Sequence, residues 1–213
     1  MHSLSGLTQH KKSNMPGCFV CLYVDNSNIY IEGQRVARDC IGEDSGAFRL
    51  YFKNLIELAA RGRELREVVW GGSIPPRNDS LWEALRTLGI RPDLIPRAKS
   101  GENETVDSRI QLRMHRHARK YKDEPGTMVL ATGDGKGYSS EDGFLYDLEV
   151  FLDDGWAVEV MSWGHSCHGK LKELAEQHGR FISLDSYYRE ITFIQGDRRV
   201  EKLSLAQSIR QTH

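Results

Sequence analysis

Several short segments of the chain put carboxylates where phosphate chemistry would need them. Asp25 opens the run Asp25-Asn26-Ser27-Asn28, directly after the apolar stretch Cys18-Phe-Val-Cys-Leu-Tyr-Val24. Asp134 lies in Thr132-Gly133-Asp134-Gly135, again behind an apolar run, Thr127 to Ala131. Asp107 follows Glu102 and Glu104 at the start of a helical pattern, and Glu141 and Asp142 stand just ahead of another. A strand that ends in a carboxylate leaves the charge at the rim, because burying it unpaired is costly. Carboxylates that converge on one rim repel unless a cation sits among them. Oxygen ligands of this type suit Mg²⁺ or Mn²⁺ rather than zinc. Such a site can hold a phosphodiester, activate a water and stabilise the leaving oxygen.

The same residues have a plainer use as helix N-caps and first-turn acids that favour the helix dipole. That reading fits Glu104 and Glu141 as well as the catalytic one does. It fits Asp25 less, since polar Asn26, Ser27 and Asn28 follow it. It fits Asp134 least, because the flanking glycines let backbone approach a ligand closely.

The elements that must carry these residues can be read from periodicity. Strands are expected at Cys18 to Val24, Leu65 to Trp70 (closed by Gly71-Gly72 and Pro75-Pro76), Pro92 to Pro96, Thr127 to Ala131, Trp156 to Trp163 and Arg180 to Leu184. Helices are expected at Phe48 to Ala60, Ser80 to Leu88, Thr105 to Tyr121, Phe144 to Leu152 and Lys170 to Gln177, with a polar stretch from Gln34 to Gly46 and a final turn at Tyr187 to Phe193. Strands alternating with helices call for a parallel sheet covered on both faces. The fold class is therefore α/β, a three-layer α/β/α sandwich with a mainly parallel, Rossmann-like central sheet. Residues 18–195 form one domain between a polar N-terminal tail, 1–17, and a polar, frayed C-terminal tail, 196–213. In such sheets the active crevice lies beyond the carboxyl ends of the strands, which is where Asp25 and Asp134 fall.

Composition adds bounds. The chain has 213 residues, 39% hydrophobic and 28% charged, with a formal charge of −1. A nucleic-acid partner would therefore need a local basic patch. No apolar run reaches the roughly 20 residues that span a bilayer, and Lys11-Lys12 is not followed by the apolar segment of a secretory signal. Cys18, Cys21, Cys40 and Cys167 are too scattered for a disulfide framework. Cys18 and Cys21, three apart on a strand, face opposite ways. A reducing cytoplasm fits this usage.

Asp25-Asn-Ser-Asn28 resembles the D-x-x-N opening of NYN domains, a branch of the PIN-like nucleases. Glu104-Thr-Val-Asp107-Ser-Arg-Ile110 is similar to the family's middle segment. Val129-Leu-Ala-Thr-Gly-Asp134 resembles its third, where an apolar strand runs into S/T-G-D. The strand from Trp156 to Met161, entered from a helix ending at Gly155, also fits, and the resemblance spans Phe19 to Leu184. The family continues S/T-G-D-x-D-F, whereas Lys136 stands at the second Asp position. Phe144 falls where the family's Phe would be, with Gly143 in the Asp position. Residues Gly135 to Glu141 then read as an insertion, with Asp142 as the displaced carboxylate.

The resemblance implies a metal-dependent ribonuclease, endonucleolytic, with Asp25, Asp107, Asp134 and Asp142 as Mg²⁺ or Mn²⁺ ligands. It gives Asn28 the task of orienting a ligand water or a phosphate oxygen. The implied partner is RNA, single-stranded or structured, and related folds often pair as homodimers. Lys136 either occupies the metal site as a built-in cation or contacts the scissile phosphate. Two other functions stay open: an RNA-binding module that does not cut, favoured by the altered third motif, and a metal-dependent phosphohydrolase of small esters.

After Asp107, Arg109, Arg113, Arg116 and Lys120 recur at helical spacing and share one face. A row of cations beginning beside a metal site could track a phosphate backbone; a solvated face is the plainer alternative. Arg35, Arg38, Arg77 and Arg97, in loops, could add contacts. His165-Ser-Cys167-His168 is too tightly spaced for a usual zinc site. His165 falls near a strand end, within reach of substrate, while His115 and His117 read as helix-surface residues. Gly133-Asp-Gly-Lys-Gly137 lacks the spacing of a phosphate-cradling loop.

Overall fold

The computed structural model describes residues 19–74, 80–96, 104–134 and 143–205. Its central strand is β1 (Phe19–Asp25), buried along its whole length. Val20, Leu22 and Val24 enter one core and Phe19, Cys21 and Tyr23 the other, the alternation that a pleated strand imposes. Cys18 lies outside the described residues. On either side run β3 (Glu64–Ile74) and β5 (Thr127–Ala131), both parallel to β1. Adding β4 (Asp93–Pro96), β6 (Ala157–Ser162) and β7 (Arg180–Ser183) gives the order β4-β3-β1-β5-β6-β7, parallel throughout.

Helices cover both faces. α1 (Asn26–Arg35), α2 (Phe52–Ala60) and α3 (Ser80–Thr87) supply Ile29, Leu55, Leu58, Trp82 and Leu85 to the first core. On the opposite face, α4 (Glu104–Lys120), α5 (Phe144–Asp153) and α6 (Gly169–His178) supply Ile110, Met114, Leu148, Phe151 and Leu171 to the second. The three-layer α/β/α architecture expected from the sequence is what the chain adopts. The path runs outward from β1 to β3 and β4, returns through α4 to β5, and runs outward again to β6 and β7. Its direction thus reverses between β1 and β5, the place where an open parallel sheet opens a crevice for ligands.

Four local expectations are corrected. Residues 26–41, partly read as a polar stretch, form α1 and a π-helical turn, Val36–Ile41, which ends at Gly42 with φ 79°. The strand expected to close at Gly71-Gly72 instead runs on through both glycines to Ile74. They are small because helices press on them: a Cβ on Gly71 would lie 2.7 Å from Ile110 Cδ1, and one on Gly72 would overlap the Trp82 ring. Phe48 begins a strand, not a helix: β2 (Phe48–Leu50) pairs antiparallel with β8 (Thr192–Ile194). Between β7 and β8 the chain makes a 3₁₀ turn, Leu184–Tyr187, and a short α7 (Tyr188–Ile191). The first part of the tail read as frayed is held down, with Arg198 bonded to Glu43 at 2.7 Å and the N–H of Glu201 donating to Arg189 O at 2.9 Å.

Candidate active site

Asp25 is the last residue of β1 and the N-cap of α1. Its Oδ1 accepts from the N–H groups of Ser27 and Asn28 at 3.1 and 3.2 Å, so the capping use of this acid is real. Its other oxygen faces the neighbouring strand, where Thr132 Oγ1 donates to Asp25 Oδ2 at 3.2 Å. That hydroxyl also accepts from the Asp134 N–H at 3.2 Å. One threonine side chain therefore links both carboxylate-bearing segments at the reversal point. Register explains why: Val24 pairs with Ala131, so Asp25 and Thr132 are the next residues out on adjacent strands.

A second link fixes the same corner. Asn28 Oδ1 accepts from the Gly133 N–H at 2.7 Å, and Gly133 O accepts from the His168 N–H at 2.9 Å. A Cβ on Gly133 would stand 2.9 Å from Ser162 Oγ and from Ser166 O. The first turn of α1, the end of β5 and the turn after β6 therefore meet at a residue with no room for a side chain. Behind them, buried Asn26 accepts from Trp70 Nε1 at 3.0 Å, seating the start of α1 on β3.

Electrostatics at the corner disfavour charge on Asp25. Burial pushes the Asp25 carboxyl above its ordinary range, and the nearby charge of Asp134 pushes the same way. The bonds from Asn28, Thr132 and Ser27 oppose that rise by favouring the ionised form. Buried Asp25 feels the charge of half-buried Asp134, a repulsion that a hard cation between them would relieve. Among the described residues, however, no group of three or more His, Cys, Asp or Glu side chains is placed to hold a metal ion.

The remaining expected site residues fall as follows. Asp107 lies near the start of α4, half-buried, next to Val106. Val106 and Ile110 press on Gly71, the partner of Asp25 across β1 and β3, which brings this end of α4 to the same rim. Asp142 and Lys136 lie outside the described residues, as do Arg77, Arg97, Glu102 and Glu141. Gly143, in the position of the family's second Asp, has φ 101°, a conformation that an Asp would adopt only with strain.

The basic row on α4 is largely paired. Arg109 lies 3.0 Å and Arg113 3.7 Å from Asp93, and Lys120 lies 2.6 Å from Glu67, while Arg116 is exposed. These are surface pairs of small worth, and a phosphate could compete for them. The reading of both α4 histidines as surface residues is corrected for His117, whose half-buried ring Nδ1 bonds Tyr23 OH at 3.0 Å. His115 is exposed but bonds buried Asp147 at 2.8 Å. Thr132, Ser162 and Glu32 belong to the corner although sequence reasoning passes over them. The strand-end rule that selects Asp25 and Asp134 also reaches Thr132 and Ser162, and Glu32 follows once residues 26–35 are known to be helical.

No helix among the described residues is long and apolar enough to cross a membrane. No curated protein matches the chain. A crystal structure of a protein of unknown function from Vibrio parahaemolyticus superposes with a TM-score of 0.56 at 17% identity, covering 79% of this chain and 94% of that one. At that identity the likeness shows the fold alone. The NYN domain family matches residues 19–185, a span that runs from β1 to the turn after β7. The chain belongs to the NYN domain family, within the PIN-like nuclease superfamily.

Proposed function

We propose that this chain is a metal-dependent ribonuclease that hydrolyses internal phosphodiester bonds of RNA. The observation that carries the reading is the Asp25–Thr132–Asp134 linkage at the reversal point between β1 and β5. Asp25, Asp107, Asp134 and Asp142 would hold Mg²⁺ or Mn²⁺, with Thr132 bonding both the Asp25 carboxylate and the Asp134 N–H. A divalent ion at such a site supplies Lewis-acid activation of water and neutralises charge on the leaving oxygen.

The chain's own groups have separable tasks. Thr132 fixes which oxygen of Asp25 faces inward. Asn28 has its carbonyl oxygen committed to Gly133, so the atom it offers a phosphate oxygen or water is Nδ2, as donor. Trp70, through Asn26, keeps α1 seated while a strand binds. Arg116 and the weakly paired Arg109, Arg113 and Lys120 extend a basic track away from the carboxylates, with Lys136 as a further phosphate contact.

The test is cleavage of a labelled single-stranded RNA in Mn²⁺, Mg²⁺ or EDTA, with wild type beside Asp134→Asn. Cutting that needs the ion and vanishes in the variant is the expected result. RNA retained without cutting under any ion would replace this reading with that of a binding module. Hydrolysis of a small chromogenic ester without RNA cleavage would replace it with that of a phosphohydrolase.

A further inference from the structure

Four buried side-chain polar atoms lack a hydrogen-bond partner among the described residues, and one of them, Trp82 Nε1, belongs to α3. The other three border a single junction: Glu32 Oε2, Ser162 Oγ and Ser166 Oγ. Ser162 Oγ, the Ser166 carbonyl and Asn28 Oδ1 are the groups nearest the place a Gly133 Cβ would take. Glu32 stands four residues beyond Asn28 on α1, on the same side of the helix and about one turn, or roughly 6 Å, further along. Native interiors leave few polar atoms unsatisfied; here Ser162 also has the Cys167 thiol beside it and Glu32 Oε2 has the His165 ring, so the junction is a polar one whose outermost member is His165.

His165 stands at the mouth of this junction. Its side chain is 41% exposed, and its Nε2 approaches Glu32 Oε2 to 3.3 Å, off the line of a good hydrogen bond. Glu32 is 9% exposed, and its other oxygen is gripped by Arg35 Nη1 at 2.7 Å. A nearly buried carboxylate, fixed from behind by an arginine, therefore backs an imidazole that faces solvent. Carboxylates in this position set the orientation of a histidine ring and the face it offers a ligand. The turn that carries His165 is tied to the carboxylate corner through the His168 N–H to Gly133 O bond. Its other end is anchored where the Gly164 N–H donates to Asp185 at 2.6 Å. The charged groups around the ring are Glu32 and Arg35 from α1, Asp39 from the π-helical turn and Asp185 beyond Gly164.

We propose that His165 contacts a phosphate of a bound RNA strand, one nucleotide along from the phosphate at Asp25 and Asp134, and that Glu32 is its positioning residue. The proposal rests on the RNA-binding part of the function proposed above and not on cleavage. No bond is made or broken by His165; it donates a charge-assisted hydrogen bond to a phosphate oxygen.

The experiment is fluorescence anisotropy of a labelled single-stranded RNA against the full chain in EDTA. Wild type, His165→Gln, Glu32→Gln and the double variant are titrated at several salt concentrations at pH 6.0. At pH 6.0 His165→Gln is expected to weaken binding about 10-fold, as for loss of one charge-assisted hydrogen bond. It should also flatten the slope of log K against log salt by about 0.7, as when the protein neutralises one phosphate fewer on a single strand. Glu32→Gln should lose affinity in the same direction, and the double variant should lose no more than His165→Gln alone. A merely structural Glu32 would add its loss to that of His165. Unchanged affinity and slope in His165→Gln, with its melting temperature intact, would overturn the proposal even if the wild type cleaves RNA. Failure of the wild type to bind RNA would overturn it as well. Binding that depends on His165, with no cleavage in any metal, would uphold it and instead sink the nuclease reading.

Discussion

Asn28 Oδ1 accepts a hydrogen bond from the Gly133 N–H at 2.7 Å, tying the first turn of α1 to the residue just before Asp134. The last residue of the D-x-x-N motif thus works on the protein itself. By bonding Gly133 it fixes the distance between the two segments that bear carboxylates.

Asn28→Ala should therefore harm activity more than folding. Removing one intramolecular hydrogen bond costs about 1 kcal/mol, which lowers the melting temperature of a domain this size by about 2–4 °C. Loss of a residue that supports ligand geometry typically costs about 10–100-fold in metal affinity or activity. Melting curves and Mn²⁺-dependent cleavage rates, measured on the same preparations, check the split. Equal small losses in both would deny Asn28 its positioning role.

Gly133→Ala should destabilise by about 1–3 kcal/mol, as for overpacking of a tight site. The added methyl meets Ser162 Oγ and Ser166 O, both at 2.9 Å. Combining it with Ser162→Ala should restore only part of the loss, because the second obstacle is backbone. Chemical denaturation of the single and double variants reads this directly, and full restoration would show that the turn after β6 yields easily.

Asp25→Asn should raise the melting temperature in EDTA while abolishing cleavage. Burial and the charge of Asp134 both disfavour the Asp25 carboxylate, and an amide removes that charge at nearly constant shape. Sites built for function commonly give up stability in this way. A lower melting temperature in the variant would mean that the three donated bonds outweigh burial.

Mn²⁺ should act in the opposite direction on the wild type. Ligand at about 100 times its Kd stabilises by about 2.7 kcal/mol, and the melting temperature should climb with ion concentration. Asp134→Asn should show little of that climb. Equal stabilisation of both proteins would place ion binding elsewhere.

His117 gives a pH dependence whose sign can be worked out. Burial lowers its pKa from the ordinary 6.5, with Lys120 and Arg113 assisting and Glu67 opposing. The unfolded chain then takes up the proton first as pH falls, so this contribution to stability is complete above about 6.5 and is lost progressively below it. His117→Gln should lack that part of the decline. Differences in melting temperature between wild type and variant from pH 7.5 to 5 measure it, and a constant difference would refute the assignment.

Much of this architecture was legible because apolar runs and their ends are set by burial. Thr127–Ala131 sits where its continuous apolar run put it, and α4 starts within a residue of its expected place. What escaped had physical causes. α1 was hidden because its sequence, Asn-Ser-Asn-Ile-Tyr-Ile-Glu-Gly-Gln-Arg, carries Gly33 and β-branched residues that weaken a helical pattern. Gly33 is there because a Cβ would fall 2.6 Å from the Phe48 ring, a tertiary demand that the local sequence does not announce. Gly71-Gly72 looked like a strand end for the same reason. At the candidate site, Asp25, Asp134 and even Thr132 lie where the strand-end rule looks, but the bond by which Thr132 joins the two acids could not be read, since it depends on register between distant strands.

That separation has its own consequence for how the protein comes into being. Asp25 and Thr132 are 107 positions apart in the chain, and β1 lacks its β5 neighbour until residues 127–131 have been made. A ribosome adding about 5–20 residues per second therefore exposes Asp25 and Asn28 for several seconds before their counterparts emerge. An unfinished or prematurely released product carries half of the cluster and cannot complete it. Assembly of the acidic corner is thus a late event of biosynthesis, reached only by chains that have also acquired most of their core.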